Sequence, residues 1–464
     1  MSKIISKECK FAIHIPTRDP DVPDFHLVKE LITYEDGTAT PSLRLVKDFK
    51  RSFYITTPHF RDHEQKKEWE HLDRLMEIPC TQSSMRDEIA RSLNRSWSRD
   101  PIRKLNRSPY IYGADVSSCA LIKRAYRTQY PNVQSPNTLA TFDIETRVTG
   151  GTETIIMATL AMHGRLFTAV TEEFVSGYSD VNGRFQSAMQ RYIGPYLETH
   201  DMSPILVVVK NEFEIVQTVF AKAHEWKPDW LAIWNINFDM PKVLKAIEDA
   251  GEDPKDVLCD PSVPKALRIC KYRPGPNKKT SASGKVTPIS PAMQWHTLDV
   301  TASWYAIDAM CAYKYIRLAK QEEGSYALDA ILSKELGIRK LKFKEADDHV
   351  GLAWHQFMQR QYPIEYMVYN TFDCISMLEL DAKTKDLSIT LPTSSGISDF
   401  KDFKSLPKRI TDALHFFIQQ RGYVLGTVGA MEDAPDPTVE PDPTVEPDEI
   451  YETLDLTNWV NAFL

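Results

Sequence analysis

The sequence predicts a protein of the α/β class, and two features of residues 138–385 support this prediction. Short apolar runs typical of buried strands recur along this part of the chain. Between them lie segments with apolar residues three and four positions apart, which is the spacing of a helix that packs on a sheet. Such an alternation of strands and helices predicts a layered α/β domain.

The composition is that of an ordinary globular protein, with 464 residues of which 42% are hydrophobic. As a prior, this length suggests about three domains. No apolar run approaches the roughly 20 residues that cross a bilayer, and the first residues lack the apolar core of a signal peptide. Seven scattered cysteines favour a reducing environment. We therefore expect a cytoplasmic protein (in the host cytoplasm if the chain is viral) with no membrane partner.

The net charge of −8 is distributed unevenly along the chain. Residues Gly429 to Leu464 contain ten acids and no lysine or arginine, which leaves 54 acids and 56 bases in residues 1–428. A nearly neutral body can still carry a basic channel. The total charge therefore does not exclude a nucleic-acid partner.

Residues 1–137 are predicted to form an α+β domain that precedes the α/β domain. Runs at 11–15 and 52–56 indicate strands, and the pattern of 61–78 indicates an amphipathic helix. This part of the chain contains no catalytic constellation, and we interpret it as an accessory domain.

The α/β domain is predicted to span residues 138–385. Its expected elements are strands at 138–147, 154–164, 165–171, 205–209 and 230–235 and helices at 182–199, 211–227 and 241–251. The two strands that meet at His163 and Gly164 form a predicted hairpin. In the last helix, Pro241 suits the first turn and Gly251 the C-terminal cap. Helices dominate the predicted structure from 324 to 385.

Residues 268–291 are rich in lysine, arginine, glycine, serine and proline. They indicate either a long β-hairpin with a mobile tip or a disordered surface insertion. The basic side chains suit contact with a phosphate backbone.

The C-terminal part is predicted to contain a helical segment at 386–428 and an acidic, proline-rich linker at 429–453. The linker holds two tandem copies of PDPTVE, and such a composition cannot bury enough apolar surface to fold. Residues 454–464 are hydrophobic again and are predicted to dock into a partner's groove; the alternative is that they fold back on their own body. The predicted docking side chains are Leu454, Leu456, Trp459, Phe463 and Leu464.

Two carboxylates interrupt the apolar run TLATFDIETR. Asp143 and Glu145 are two residues apart, so a strand presents both on one face. Buried acids require a cation, and Mg²⁺ prefers carboxylate oxygens. An Asp-x-Glu triplet alone is weak support, because roughly one or two occur by chance in so long and acidic a chain.

Two further segments extend this pattern. Asp239 follows the predicted strand at 230–235, where open α/β sheets place their chemistry. Asp373 and Tyr369 are four residues apart in a predicted helix and therefore share a face. Each of these residues alone is better explained by a structural role.

Together, the four acids match the requirement of a two-metal phosphodiesterase, which needs several carboxylates to hold two Mg²⁺ or Mn²⁺ ions. Tyr369 would orient the attacking water. Asn235 and Phe238 would hold and stack the terminal nucleotides, since an aromatic face accepts any base.

The segments DIET, NINFD and YNTFD resemble the three exonuclease motifs of DnaQ-like 3′–5′ exonucleases. This resemblance implies an RNase H-like fold with a mixed central sheet. More narrowly, the three segments resemble the proofreading domain of family B DNA polymerases of the T4-like phage type. The segments YGADVSSCALIKRAYRTQYP, HTLDVTASWY and ELGIRKLKF add to this resemblance, which covers residues 1–428. It implies metal ligation by Asp143, Glu145, Asp239 and Asp373, with assistance from Tyr369.

The resemblance also implies a path for single-stranded DNA. The basic segment 268–291 falls where the family carries a hairpin that helps to move the primer strand between sites. The expected DNA-binding residues are Thr146, Asn235, Phe238, Arg273, Lys278 and Lys279.

The sequence departs from the family after residue 428. In the family a palm, fingers and thumb follow, with an SLYPS-like strand and an Asp-Thr-Asp turn that this sequence lacks. We therefore predict the proofreading exonuclease subunit of a split polymerase, acting on the primer 3′ end beside a separate polymerase subunit. The terminal peptide resembles clamp-binding peptides, which suggests a sliding clamp as a further partner.

Three alternatives remain open on the sequence. The chain could be a stand-alone nuclease, or a non-catalytic DNA-binding scaffold that bridges polymerase and clamp. It could also be an RNase of the same fold, since the 2′-hydroxyl alone separates RNA from DNA.

Overall fold

The protein has a mixed α/β structure in a computed structural model that describes residues 3–17, 22–94, 102–148, 153–281 and 284–426. The strands are β1 (Ile4–Ile15), β2 (Phe25–Tyr34), β3 (Ala39–Lys47), β4 (Arg51–Thr56), β5 (Trp69–His71), β6 (Leu75–Cys80), β7 (Ile111–Tyr112), β8 (Leu139–Thr146), β9 (Ile155–Met162), β10 (Arg165–Thr171), β11 (Pro204–Val209), β12 (Trp230–Ile233), β13 (Cys270–Arg273), β14 (Lys278–Thr280), β15 (Val286–Pro288), β16 (Thr297–Val300), β17 (Tyr305–Asp308) and β18 (Tyr423–Leu425). The helices are α1 (Met85–Ser92), α2 (Ile102–Leu105), α3 (Ser118–Gln129), α4 (Glu172–Val175), α5 (Val181–Thr199), α6 (Glu212–Trp226), α7 (Ile236–Asp249), α8 (Pro254–Leu258), α9 (Ala309–Ile316), α10 (Leu328–Leu336), α11 (Leu352–Gln361), α12 (Pro363–Thr384), α13 (Leu391–Ser395) and α14 (Leu406–Gln419).

The chain divides into two compact units. The larger consists of Met1–Phe49 and Ser117–Leu414, and the smaller of Lys50–Val116 and His415–Leu464. This division does not coincide with the predicted domain ranges 1–137, 138–385 and 386–428, which stay predictions.

The C-terminal predictions lie outside the described residues. They comprise the linker at 429–453 and the docking peptide with Leu454, Leu456, Trp459, Phe463 and Leu464. Among the described residues, each helix is too short or too polar to cross a lipid bilayer.

A six-stranded mixed sheet forms the centre of the larger unit, with the strand order β11-β10-β9-β8-β12-β17. Strand β9 pairs antiparallel with both β8 and β10. Strand β11 pairs in parallel with β10, and β12 pairs in parallel with both β8 and β17. The predicted mixed sheet is therefore confirmed. So is the hairpin between β9 and β10, where Gly164 adopts a φ of +73° that favours glycine.

Strand β8 lies inside this sheet and has two different faces. Ala140, Phe142 and Ile144 are buried in an apolar core together with residues of α6 and α7. The alternate residues, which include Asp143 and Glu145, project from the opposite face towards α12. The alternation of the sequence thus separates the apolar contacts from the acids.

The smaller unit contains a three-stranded antiparallel sheet in the order β6-β4-β7. Its core joins Phe53 and Ile55 of β4 with Ile111 of β7 and with Met85 and Ile89 of α1. Strands β5 and β18 form a separate antiparallel pair.

The predicted helix at 61–78 is wrong. This stretch contains β5 and the first part of β6, and β6 pairs along its length with β4. Its charged residues match a helical period, but the hydrogen bonds and side-chain contacts offered by β4 decide the structure, since tertiary pairing overrides local propensity.

Helix α7 begins five residues earlier than predicted, at Ile236. Pro241 therefore lies inside the helix and not in its first turn, whereas Gly251 follows the helix end with a φ of +78°, as predicted. The early start places Asp239 on the first turn of α7. In the basic segment, β14 and β15 pair antiparallel, which agrees with the hairpin of the first predicted alternative, although each strand has only three residues. The predicted mobile tip falls on residues that include 282–283, outside the described residues.

Candidate metal centre

Three carboxylates converge on one face of the central sheet. Asp143 and Glu145 of β8 and Asp373 of α12 each offer a ligand oxygen, and these oxygens all lie within 4.8 Å of one another. Asp373 is buried and the other two are half-buried. Residues 230 positions apart in the chain thus form one group of hard oxygen ligands, which suits Mg²⁺ or Mn²⁺.

The acids meet because β8 and α12 run past each other in a matched register. From one connecting hydrogen bond to the next, the bonded position moves two residues forward along the strand and four residues back along the helix. The bonds join Tyr366 OH to Glu145 Oε2 (2.5 Å), Asn370 Nδ2 to Asp143 Oδ2 (2.7 Å) and Thr141 Oγ1 to the Cys374 carbonyl (2.9 Å). Two strand residues span about 6.6 Å and four helical residues span about 6 Å. The register therefore holds across all three hydrogen bonds.

Asn370 fixes the orientation of Asp143. Its side chain is fully buried, and its Oδ1 accepts a hydrogen bond from the Thr159 hydroxyl at 2.7 Å. Because an amide has one oxygen and one nitrogen, the Nδ2 group must then face the Asp143 carboxylate.

Tyr366 fixes Glu145 through a second network. Its hydroxyl donates to Glu145 and receives a hydrogen bond from Gln359 Nε2 at 3.2 Å. The same Gln359 nitrogen donates to the Thr146 carbonyl at 2.8 Å. His355 Nδ1 lies 2.8 Å from the Tyr366 oxygen, and burial, with a smaller effect of Lys340, lowers the pKa of His355.

Lys340 brings a positive charge to the acids. Its Nζ lies 2.5 Å from Asp373 Oδ2 and 3.3 Å from the Tyr369 hydroxyl. Burial alone would lower the pKa of Lys340, but Asp373, Tyr369 and Asp143 raise it well above its ordinary value. The ammonium group is therefore charged and offsets part of the negative charge of the cluster.

Asp239 lies beside this group without being a member of it. Its side chain is 3% exposed. Burial and the nearby Glu145 raise the pKa of Asp239 well above its ordinary value, against the opposing effects of Lys242 and the Ile144 backbone amide. The fourth predicted acid thus shares the electrostatic environment of the other three.

The cluster is electrostatically strained by its own charges. Burial raises the pKa of Asp143, and Asp239, Asp373 and Glu145 raise it further. Burial also raises the pKa of Glu145 to about 7, although the Tyr366 hydrogen bond acts in the opposite direction. Like charges held together in this way are relieved either by protons or by a cation.

Unused acceptor atoms indicate that a cation fits. Within the described residues, Oδ1 of Asp239 and Oδ1 of Asp373 are buried and have no hydrogen-bond partner. Buried carboxylate oxygens are normally paired. The unpaired oxygen of Asp373 belongs to the group of three acids that could hold a metal ion.

Three of the predicted DNA-binding residues adjoin the acids in sequence. Thr146 ends β8, Asn235 precedes α7, and Phe238 is the residue before Asp239. The Phe238 ring is 46% exposed, and Lys242 Nζ lies 3.4 Å from its centroid. An exposed ring beside a cation offers a surface for a base.

The other three predicted DNA-binding residues lie in the basic segment, outside the acid cluster. Arg273 of β13 pairs with Asp299. Lys278 and Lys279 of β14 are exposed.

Sequence reasoning missed Lys340, Tyr366 and Asn370. The two α12 residues carry a detectable signal, because they precede Asp373 by seven and three positions and so share its helical face. Lys340 precedes Asp373 by 33 positions and belongs to no periodic pattern.

No model of a known protein family matches this chain, and a search of curated proteins finds no match. The interpretation of the site therefore depends on its geometry and on the three sequence motifs.

Proposed function

We propose that the chain is a metal-dependent 3′–5′ exonuclease that acts on single-stranded DNA ends, with an RNase H-like (DnaQ-like) domain as its catalytic part. The observation that supports this proposal is the convergence of Asp143, Glu145 and Asp373 within 4.8 Å, with the buried Asp239 beside them. Acids of the first and third motifs meet within this distance, the acid of the second motif lies beside them, and each motif resembles the exonuclease pattern.

The four acids would hold two Mg²⁺ or Mn²⁺ ions, which when bound supply charge stabilisation at the scissile phosphate and a water of lowered pKa. The protein's own part is to keep the ligands in place. Asn370 and Tyr366 do this for Asp143 and Glu145 through hydrogen bonds from α12.

Lys340 contacts both Asp373 and Tyr369, and we propose that Tyr369 and Lys340 act on the water and the phosphate. Burial raises the pKa of Tyr369 far above its usual range, so its hydroxyl keeps its proton and can donate a hydrogen bond to an attacking water. The Lys340 ammonium, 3.3 Å from that hydroxyl, attracts the phosphate anion and fixes the phenol oxygen. Phe238 offers its exposed ring to the terminal base, and Lys278 and Lys279 suit the phosphates upstream.

The test is an assay on a single-stranded oligonucleotide labelled at its 5′ end, in the presence of Mg²⁺ or Mn²⁺. We expect the wild-type chain to shorten the strand from its 3′ end and to release mononucleotides, and Asp143→Ala/Glu145→Ala to abolish this activity. A double variant of two exposed acids, Glu198→Ala/Glu248→Ala, is the control. If the site variant degrades DNA as fast as the wild type, the assignment is wrong.

An RNA strand of the same sequence, tested in the same assay, separates a DNase from an RNase. Preferential degradation of RNA would replace the proposed substrate with RNA, because the 2′-hydroxyl is the group that differs.

We further propose that the chain is the proofreading subunit of a split family B polymerase. The support is the set of three motifs, together with the hydrophobic peptide and the acidic linker that precedes it in the sequence. Deletion of 430–464 is expected to leave nuclease activity on free oligonucleotides intact and to weaken association with a polymerase subunit or a sliding clamp. Unchanged binding in a pull-down would contradict the tethering role.

A further inference from the structure

Strands β14 and β15, here called the basic hairpin, form an exposed and purely cationic part of the larger unit. Residues 274–294 contain Lys278, Lys279 and Lys285 and no aspartate or glutamate. All three lysines are exposed. Positive charge without a neighbouring acid in the sequence attracts a polyanion such as a nucleic-acid backbone.

Both ends of the basic hairpin are held by one buried pair of side chains, His296 and Gln294. Gly275, which leads into β14, donates its backbone N–H to His296 Nδ1 at 3.0 Å. Ile289, which follows β15, accepts a hydrogen bond from Gln294 Nε2 at its carbonyl oxygen, at 3.0 Å. His296 Nε2 lies 3.1 Å from Gln294 Oε1 and connects the two halves. The two side chains are 4% and 9% exposed, so water competes little for these bonds.

The hydrogen atoms of this pair can be assigned from its contacts. Burial lowers the pKa of His296, which favours the neutral ring, and a neutral imidazole has one N–H group and one acceptor nitrogen. Because Nδ1 accepts the Gly275 N–H, the proton of His296 lies on Nε2 and is donated to Gln294. Both ring nitrogens are therefore used. A methyl group at Gly275 would overlap the Gln294 carbonyl oxygen, so this close approach requires glycine.

Tyr272 of β13 connects the pair to helix α7. Its ring is parallel to the His296 ring, with 6.2 Å between the centroids and 5° between the planes. Its hydroxyl lies 3.1 Å from His296 Nδ1 and 3.2 Å from Asn237 Oδ1. Burial raises the pKa of Tyr272 to about 12, so the hydroxyl keeps its proton. The lone pair of Nδ1 is already used by the Gly275 N–H, and the hydroxyl therefore donates to Asn237.

Asn237 belongs to the turn of α7 that contributes to the candidate metal centre. It immediately precedes Phe238, whose ring is exposed, and lies two positions before the buried Asp239. Hydrogen bonds and one ring stack thus join the base of the basic hairpin to the turn that carries these two residues.

From this connection we infer that Tyr272, His296 and Gln294 are positioning residues, which hold the basic hairpin in a fixed orientation to α7. One DNA strand then contacts the lysines of the hairpin while its 3′-terminal base lies against Phe238. Two contact surfaces that are already fixed relative to each other lose less conformational freedom on binding. The inference rests on the proposed function, which makes single-stranded DNA the ligand.

The test is fluorescence anisotropy with oligothymidylates labelled at the 5′ end, one of about 12 nucleotides and one of about three. All proteins are full chains that carry Asp143→Asn/Glu145→Gln, which prevents hydrolysis of the probes. Tyr272→Phe removes the bond to Asn237 and keeps the ring, and His296→Phe removes both bonds of the imidazole. Each is expected to weaken binding of the long probe about three- to tenfold, which corresponds to one or two hydrogen bonds, and to leave the short probe unaffected.

Three further variants sharpen the test. His296→Asn retains an acceptor for the Gly275 N–H and should recover most of the affinity. Lys278→Gln/Lys279→Gln should also weaken only the long probe. Combined with His296→Phe, its effect should be smaller than the product of the two separate effects, because both act through the hairpin.

Tyr192→Phe, at a half-buried position of α5, is the matched control and should bind both probes normally. The melting temperature shows whether each variant folds. If His296→Phe does not fold, Tyr272→Phe decides the test, since it removes a single hydroxyl at a half-buried position.

Unchanged binding of the long probe in Tyr272→Phe and His296→Phe would overturn the inference. Equal weakening of both probes would also overturn it, because the tyrosine and the histidine would then act on the fold or on the terminal-base site alone. If the long probe behaves as expected but the wild-type chain releases no mononucleotides with Mg²⁺ or Mn²⁺, the inference stands and the proposed nuclease function alone fails.

Discussion

Replacement of Lys340 tests how the protein stabilises its acids when no metal is bound. Lys340 Nζ lies 2.5 Å from Asp373 Oδ2, and its charge also lowers the pKa of Asp143 and Glu145. Lys340→Met removes this charge while it keeps the length of the side chain. We expect the variant to be less stable without metal and to bind metal more tightly.

The magnitude follows from the geometry. Loss of one partner of a buried ion pair costs about 3–5 kcal/mol. The Lys340 side chain is 29% exposed, and solvent screening reduces the expected loss to about 2–3 kcal/mol. Removal of one positive charge from the edge of the site should increase Mn²⁺ affinity at least about tenfold, since about 1.4 kcal/mol corresponds to that factor.

The assay is urea unfolding in EDTA, combined with calorimetric titration of Mn²⁺. Lys342→Met, which alters an exposed lysine two residues away, is the control and should behave like the wild type. If both variants have the same unfolding free energy and the same Mn²⁺ affinity, Lys340 is not the countercharge of the cluster.

Three further predictions concern single side chains. Tyr366→Phe removes the hydrogen bond that lowers the pKa of Glu145. The pKa of Glu145 should then rise, and the pH profile of hydrolysis should shift to higher pH. The melting temperature of the variant shows whether its fold is kept. Phe238→Ala should weaken single-stranded DNA binding by about 1–3 kcal/mol in a fluorescence titration, whereas Ile389→Ala, at another exposed apolar position, should not. Burial raises the pKa of Asp308 to about 7, so the folded state loses stability as the pH rises from about 4 to 7 and this carboxyl group ionises. In urea unfolding, Asp308→Asn should therefore be more stable than the wild type at pH 8, by up to about 4 kcal/mol, and should match it near pH 4.

Much of the central sheet could be predicted because its signals are local. The short apolar runs of β8, β9 and β12 are typical of buried strands. Asn211 caps the N-terminus of α6, a position that asparagine favours. The stretch 61–78 could not be predicted, because β6 depends on pairing with β4. A charged sequence with helical spacing contains no information about that partner.

The site shows the same division. Strand alternation predicts that Asp143 and Glu145 share a face. The YNTFD motif predicts that Asp373 joins them as a metal ligand. Lys340 could not be predicted, because only the folded chain brings its ammonium to Asp373. The sequence also did not predict that Asp239 falls outside the group of three acids, because its distance from the others depends on how α7 packs beside β8.

Electron paramagnetic resonance of Mn²⁺ during titration of the full chain tests the central claim most directly. The claim is that Asp143, Glu145, Asp239 and Asp373 together hold divalent ions. We expect two bound Mn²⁺ ions per wild-type chain, and loss of both from a folded Asp143→Asn/Glu145→Gln variant. Wild-type protein that binds no Mn²⁺, or a folded variant that binds as much as the wild type, would contradict it.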